Sequence, residues 1–158
     1  MNRILPKLYL GNYNDAQNIA LLRRGQISHI LCAAAELRPA DPNQFTYKMI
    51  FASDHPGFNI SLHLDSAADF IKHGMDHGNG VLVHCHMGIS RSTTCIIAYL
   101  IKYESMDLNS ALTLCKKSRP IVNPNPGFMI QLRSYASKSR QGISAPKHHI
   151  RHSSVNSN

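Results

Sequence analysis

Long hydrophobic runs are absent from this sequence. The longest uninterrupted apolar stretch is Cys95–Ile101, which is far too short to cross a bilayer, because a spanning helix needs about 20 apolar residues. The N-terminal segment MNRILPKLYLGN also lacks the apolar region and small-residue cleavage site of a secretory signal. We therefore expect no membrane span and a location in the cytoplasm, with the nucleus as the alternative.

Cysteine is scarce and shows no C-x-x-C pairing. The four cysteines are Cys32, Cys85, Cys95 and Cys115. A chain of 158 residues that is 43% hydrophobic can bury a core without disulfides, so we interpret the cysteines as thiols in a reducing compartment. Nothing in their spacing predicts a metal site, and we expect neither a metal nor another cofactor.

Acidic residues are few. There are 9 against 17 basic residues, which gives a net charge of +8 and favours anionic partners. Part of this excess lies after Ser137, where four Lys or Arg and three His occur without any Asp or Glu. We predict one folded domain over residues 1–138 and a flexible basic tail over residues 139–158.

Apolar patterns predict strands that alternate with helices, which is typical of an α/β domain with a central, mostly parallel sheet flanked by helices. We predict a strand over Ile4–Leu10 that is broken at Pro6, a helix from Asp15 to Arg24 ended by a left-handed Gly25, and a helix capped by Ser61 and stopped at Gly74. Further predictions are strands at Ile27–Ala33, Tyr47–Ala52 and Val81–Val83, a buried helix from Arg91 to Glu104, and later helices capped by Asp107 and Asn125.

The chemical site lies in the segment VLVHCHMGISRSTTCIIAYLIK. Cys85 ends the strand, and Arg91 begins the helix six positions later. A loop this short can curl so that its N–H groups converge beside the helix N-terminus, an arrangement that binds a phosphate dianion. Gly88 permits the tight backbone, and the Arg91 fork can hold two phosphate oxygens. The same positive environment favours a Cys85 thiolate that attacks phosphorus.

The side chains next to this loop extend the site. Ser92 can donate a hydrogen bond to the Cys85 sulfur and stabilise it as a leaving group, whereas His84 can hydrogen-bond the loop backbone and support its shape. The residues between Cys85 and Arg91 would bind phosphate through the loop; they are His86, Met87, Gly88, Ile89 and Ser90.

The segment HCHMGISRS resembles the signature loop of the dual-specificity branch of the cysteine-dependent protein tyrosine phosphatase superfamily. KLYLGN near the start, AYLI after the loop and RPIVNPNPGFMIQL near the end also resemble that domain. The resemblance covers residues 5–136. It implies a phosphatase fold, a phosphocysteine intermediate and a general acid about 30 residues before the cysteine. Asp54 lies 31 residues before Cys85 in FASDHPGFNIS and takes that role; Asp65 and Asp69 are weaker candidates.

The resemblance to the dual-specificity branch implies a phosphorylated protein substrate, with phosphotyrosine and phosphoserine or phosphothreonine both accepted. RNA 5′-phosphate or phosphoinositide substrates are alternatives, and so is a pseudophosphatase that binds phosphate without turnover. The loop carries no Lys of the kind found in phosphoinositide-directed relatives, and Cys85, Arg91 and Asp54 are all present. We therefore rank phosphoprotein first, do not expect a nucleic-acid partner, and take a monomer as the default.

Overall fold

The computed structural model describes residues 1–144, with side chains described to residue 140. Within this range one sheet has five strands: β1 (Asn2–Leu5), β2 (Leu8–Gly11), β3 (Ile27–Ala33), β4 (Thr46–Ile50) and β5 (Gly80–His84). The helices are α1 (Tyr13–Gln17), α2 (Ile19–Arg24), α3 (Leu64–His77), α4 (Arg91–Tyr103), α5 (Leu108–Ser118) and α6 (Pro126–Ser144). The strand order is β1-β2-β5-β3-β4, and β1–β2 is the antiparallel pair. The predicted α/β class with a mostly parallel sheet is confirmed.

The core is built around β5 and α4. All five residues of β5 are buried, which is typical of a central parallel strand covered on both faces. Every residue of α4 from Arg91 to Ile101 is also buried, because α4 packs against the sheet, α3, α5 and α6. This confirms the prediction that a helix apolar nearly all round lies at the centre of the domain.

The N-terminal segment forms a hairpin instead of one interrupted strand. β1 and β2 pair as antiparallel neighbours, and Pro6 and Lys7 form the connection. Lys7 has a φ of 70°, a left-handed conformation that reverses the chain within two residues. The break predicted at Pro6 is therefore a turn between paired strands.

The helix predicted from Asp15 to Arg24 is divided at Asn18. The Asn18 side chain accepts a hydrogen bond from the Leu21 N–H at 3.1 Å, which makes it the N-cap of α2. The predicted left-handed cap at Gly25 was wrong: Gly25 is right-handed, with φ −77°. Gln26 takes the left-handed conformation instead, with φ 54°.

The helix predicted to run from Ser61 to Gly74 begins and ends later. A 3-10 turn occupies Ile60–His63, and α3 then continues through Gly74 to His77. Gly74 does not stop the helix; it permits close packing on the sheet, since a Cβ there would lie 2.7 Å from Val81 Cγ2.

The last helices begin where their caps predict. The Asp107 side chain accepts from the Ser110 N–H at 2.8 Å, and the Asn125 side chain accepts from the Phe128 N–H at 2.9 Å.

The last helix continues six residues past the predicted domain end at 138, to Ser144. Ser139 and Arg140 line a small cavity together with Met106, which lies in the connection between α4 and α5. The rest of the predicted tail, residues 145–158, lies outside the described residues. Within the described part of the chain, none of the helices combines the length and apolar content that a bilayer crossing requires.

Candidate active site

The loop of residues 85–90, here called the phosphate loop, joins β5 to α4 at the carboxyl edge of the parallel strands. Gly11 of β2 and Cys32 of β3 flank His84, the last residue of β5. Ligands of open α/β sheets bind at this edge. The topology therefore places Cys85 and Arg91 where the ends of three strands meet the start of a buried helix.

Every carbonyl oxygen of the phosphate loop accepts a hydrogen bond from outside the loop. The donors, from Cys85 O to Ser90 O, are His84 Nδ1 (3.1 Å), Tyr13 N (2.9 Å), Arg119 Nη2 (3.0 Å), Arg119 Nε (2.9 Å), Asn123 N (2.8 Å) and Thr94 Oγ1 (2.8 Å). The C=O and N–H of one peptide plane point in opposite directions. Carbonyls held outward therefore turn the N–H groups toward the loop centre, which creates a nest for an anion.

Gly88 is required by this backbone. Its φ is +66°, which favours glycine. A Cβ at this position would also lie 2.5 Å from the Gly11 carbonyl oxygen. The phosphate loop therefore packs against the end of β2 with no room for a side chain.

Cys85 is the thiol at the base of the phosphate loop. It is buried, and its Sγ lies 3.0 Å from Oγ of the fully buried Ser92. Burial raises the pKa of Cys32 to about 11 and the pKa of both Cys95 and Cys115 to about 12. These three thiols therefore stay protonated at neutral pH, and the nucleophile predicted by the sequence has no competitor among them.

Arg91 lies at the start of α4, with most of its guanidinium engaged. Nη1 and Nη2 donate to the two Glu36 carboxylate oxygens at 2.8 and 2.7 Å, and Nη1 also donates to Ala52 O at 3.1 Å. The Arg91 guanidinium holds the pKa of the Glu36 carboxyl below its usual value. The Nε atom is buried and has no partner among the described residues. The N–H on Nε and the second N–H on Nη2 are thus the donors left for a ligand.

Asp54 reaches the phosphate loop through a single intermediary. Its Oδ1 accepts from Asn125 Nδ2 at 3.0 Å, and the Asn125 backbone N–H donates to Ser90 Oγ at 2.9 Å. The structure thus brings Asp54 to the same edge as the phosphate loop. Asp65 and Asp69 lie on α3 and bond instead to Tyr135 and Tyr103.

The loop of residues 54–59, here called the acid loop, is positioned by α6. Gln131 Nε2 donates to Phe58 O at 2.9 Å. Gly127 lies so close that a Cβ on it would be 1.9 Å from Pro56 O. Helix α6 and its N-cap residue therefore fix the acid loop at three points: Asn125, Gly127 and Gln131.

Histidines on either side of Cys85 differ in their environment. Burial lowers the pKa of His84, and the neutral ring donates from Nδ1 to the Cys85 carbonyl. His86 is exposed, and its ring stacks on Tyr13 with ring centres 6.2 Å apart. Across residues 1–140, no three His, Cys, Asp or Glu side chains lie in an arrangement that would hold a metal ion.

Sequence reasoning missed Glu36 and Arg119, and it interpreted Asn125 only as a helix cap. Glu36 is 55 residues from Arg91, and no motif pairs them. Arg119 and Asn125 belong to RPIVNPNPGF, the segment that resembles the closing loop of the family. The resemblance of this segment to the family could have drawn attention to both residues. Their contacts with the phosphate loop, however, depend on the fold.

Residues 8–138 match the family model for the dual specificity phosphatase, catalytic domain. The fold and the cysteine-containing loop agree with that match, and the chain belongs to the dual specificity phosphatase family.

Among its relatives, the chain is 42% identical over 126 residues to dual specificity protein phosphatase 1 of Arabidopsis thaliana, covering 80% of this chain and 64% of that protein. It is 42% identical over 138 residues to MAP kinase phosphatase with leucine-rich repeats protein 3 of Dictyostelium discoideum, covering 87% of this chain and 16% of that protein. The crystal structure of human DUSP28 superimposes with a TM-score of 0.86 at 26% identity and covers 91% of this chain and 100% of that one.

Proposed function

We propose that this chain is a protein phosphatase of dual specificity, which hydrolyses phosphotyrosine and phosphoserine or phosphothreonine through a phosphocysteine intermediate on Cys85, without a metal. The observation that carries the proposal is the phosphate loop itself. All six of its carbonyls are held outward, which leaves a nest of N–H groups around the buried Cys85 thiol.

In the first step the phosphate dianion occupies the nest formed by the backbone of residues 86–91. The free N–H groups on Arg91 Nε and Nη2 bind two of its oxygens. The Cys85 thiolate attacks phosphorus, the bond from phosphorus to the substrate oxygen breaks, and Asp54 gives its proton to the leaving oxygen. The dephosphorylated protein departs.

In the second step a water molecule attacks the phosphocysteine. Asp54, now a carboxylate, takes the proton from this water, and the sulfur–phosphorus bond breaks to release inorganic phosphate. Ser92 Oγ, 3.0 Å from the sulfur, donates a hydrogen bond that stabilises the departing thiolate. The enzyme returns to its starting state.

Positioning residues hold this machinery in place. Glu36 orients the Arg91 guanidinium so that its free edge is presented to the phosphate. His84 and Arg119 hold loop carbonyls outward. Their removal is expected to lower the rate by loosening the loop, since displacement of a reacting group by about 1 Å can cost about a hundredfold.

Protein substrates are favoured over the alternatives. The loop positions 86–90 carry no Lys or Arg that would select a phosphoinositide headgroup. The presence of Cys85, Arg91 and Asp54 argues against a binding module without turnover. We further propose that the protein acts in signalling as a monomer in the cytoplasm, with the nucleus as the alternative location.

Hydrolysis of p-nitrophenyl phosphate in the presence of EDTA tests the proposal. We expect turnover by the wild type, near-complete loss in Cys85→Ser and a large loss in Asp54→Ala. Phosphotyrosine, phosphothreonine and phosphoserine peptides would then measure specificity. A folded, reduced wild type that hydrolyses none of these compounds would contradict the proposed function.

A further inference from the structure

Three exposed apolar side chains lie in the phosphate loop or in segments that contact the loop or Arg91. Among the described residues, six large hydrophobic side chains are exposed, and three of them are Phe51 (64% exposed), Met87 (56%) and Ile121 (55%). Met87 belongs to the phosphate loop, and the other two lie beside residues that contact the loop or Arg91. Single exposed apolar residues are ordinary, whereas a group beside a polar site marks a binding surface.

Phe51 is turned outward by a tight turn after β4. The Ala52 N–H donates to Ile50 O at 2.8 Å, which closes the turn around Phe51. Ile50 and Ala52 are buried on either side, and Ala52 O accepts from Arg91 Nη1 at 3.1 Å. Phe51 is therefore exposed one residue away from a direct contact with Arg91.

Ile121 is exposed in the segment between α5 and α6, which contacts the phosphate loop. It lies between Arg119, which bonds Met87 O and Gly88 O, and Asn123, which bonds Ile89 O. The neighbouring Val122 is buried. Ile121 is thus held outward within two residues of contacts to three consecutive phosphate-loop carbonyls.

The two arginines that contact the loop are both engaged. Arg91 is paired with Glu36, and Arg119 donates to loop carbonyls and to Asn2 Oδ1 at 2.8 Å. The N–H groups that Arg91 keeps free are those assigned to the phosphate, and Arg119 is held by three acceptors. Exposed apolar side chains next to these arginines are therefore available to contact the substrate residues that flank the phosphate.

We propose that Phe51, Met87 and Ile121 form an apolar rim around the phosphate loop, and that the substrate protein presents an apolar side chain next to its phosphorylated residue. The inference rests on the proposed function, because it takes the phosphate loop as the substrate's anchor. The apolar side chain of the substrate is buried against the rim when the phosphate is bound.

This proposal can be tested with two phosphotyrosine peptides that differ only in the residues flanking the phosphotyrosine. These residues are Leu in one peptide and Asp in the other. Binding to the Cys85→Ser variant is measured by fluorescence polarisation, so that no turnover is needed. We expect the Leu peptide to bind about tenfold more tightly, because burial of one such side chain is worth that much or more. Both peptides should lose binding when dephosphorylated.

Matched variants in the Cys85→Ser background locate the effect. Ile121→Ser and Phe51→Ser should reduce the preference to about threefold or less. Ile130→Ser and Leu62→Ser remove side chains that are 63% and 76% exposed elsewhere and should leave the preference intact. The proposed rim would be contradicted if the two peptides bound equally, if the Asp peptide bound more tightly, or if binding did not depend on the phosphate. An equal loss of preference in the control variants would also contradict it.

Turnover of p-nitrophenyl phosphate by the protein with Cys85 intact separates the two proposals. Peptide preference without any turnover would keep the rim and contradict the phosphatase activity. Turnover without peptide preference would contradict the rim alone.

Discussion

The phosphate loop and the acid loop are held in different ways. The phosphate loop is fixed through its backbone carbonyls by donors from five residues outside it, and Cys85, Gly88 and Ser90 within it are buried. The acid loop is exposed from Asp54 to Gly57 and is held by α6. The contrast separates two tasks: changes at the first loop should alter phosphate binding, and changes at the second should alter proton transfer.

Replacement of Arg91, which binds the phosphate beside the phosphate loop, should lower activity the most among the variants that follow. Arg91→Lys removes the fork that binds Glu36 and the phosphate together, and we expect kcat/KM to fall about a thousandfold, with weaker inhibition by inorganic phosphate. Steady-state kinetics with p-nitrophenyl phosphate measure both. Arg38→Lys, on an exposed arginine that bonds Leu37 O, is the matched control and should behave as wild type. Unchanged phosphate inhibition in Arg91→Lys would contradict the assignment.

Asp54→Asn should affect proton transfer alone. We expect kcat to fall about a hundredfold with phenyl phosphate, and less with p-nitrophenyl phosphate, because nitrophenolate leaves readily without a proton. Inhibition by inorganic phosphate should not change. Asp65→Asn, whose side chain is 73% exposed on α3, serves as the control. An equal loss with both substrates would argue against a general acid at Asp54.

Two glycines allow the contrast to be tested with one chemical change. Gly88→Ala places a Cβ 2.5 Å from Gly11 O at a positive φ, and Gly127→Ala places one 1.9 Å from Pro56 O. We expect each to lower kcat/KM about tenfold, since a misplaced reacting group loses at least that much. Inhibition by inorganic phosphate should weaken in Gly88→Ala only.

Gly57→Ala is the control for Gly127→Ala, because its Cβ would meet only the His55 ring at 3.1 Å. Weakened phosphate inhibition in Gly127→Ala would show that the two loops are not separable.

The free energy of unfolding should depend weakly on pH through His84. Burial lowers the pKa of His84 below its ordinary 6.5, so the unfolded chain takes up a proton that the folded chain refuses. This contribution to the free energy of unfolding is fully present above pH 6.5 and is lost as the pH falls, by at most about 1.4 kcal/mol per pH unit for one proton.

Urea unfolding at pH 7.5, 6.5 and 5.5 measures this loss. We expect a smaller fall for His84→Asn, whose amide can still donate to Cys85 O. Some fall should remain, since burial also lowers the pKa of His29. The same fall in both proteins would show that His84 is not its source.

The sequence predicted those features that depend on neighbouring residues. β3 was predicted with its observed bounds because Ile27 and the run Ile30–Ala33 are apolar, and the order of β5, phosphate loop and α4 follows from one uninterrupted segment. The division of the first predicted helix was missed because the Asn18 cap competes with helix continuation through a single side-chain hydrogen bond.

Contacts between distant residues could not be predicted. Glu36 reaches Arg91 across 55 residues and Arg119 reaches Gly88 across 31. These pairs meet because β3, β5 and α5 converge on one edge of the fold, which no local pattern records. The position of the acid loop likewise depends on a distant segment, because Asn125, the N-cap of α6, is 71 residues from Asp54.

Transfer of phosphate through Cys85 can be observed in a rapid-quench experiment on Ser92→Ala with a phosphotyrosine peptide, followed by mass-spectrometric mapping. Loss of the Ser92 hydroxyl should slow breakdown of the intermediate more than its formation, so we expect phosphate to accumulate on Cys85 and then decay. Hydrolysis of the peptide with phosphate on another residue, or never on the chain, would show that Cys85 is not the nucleophile.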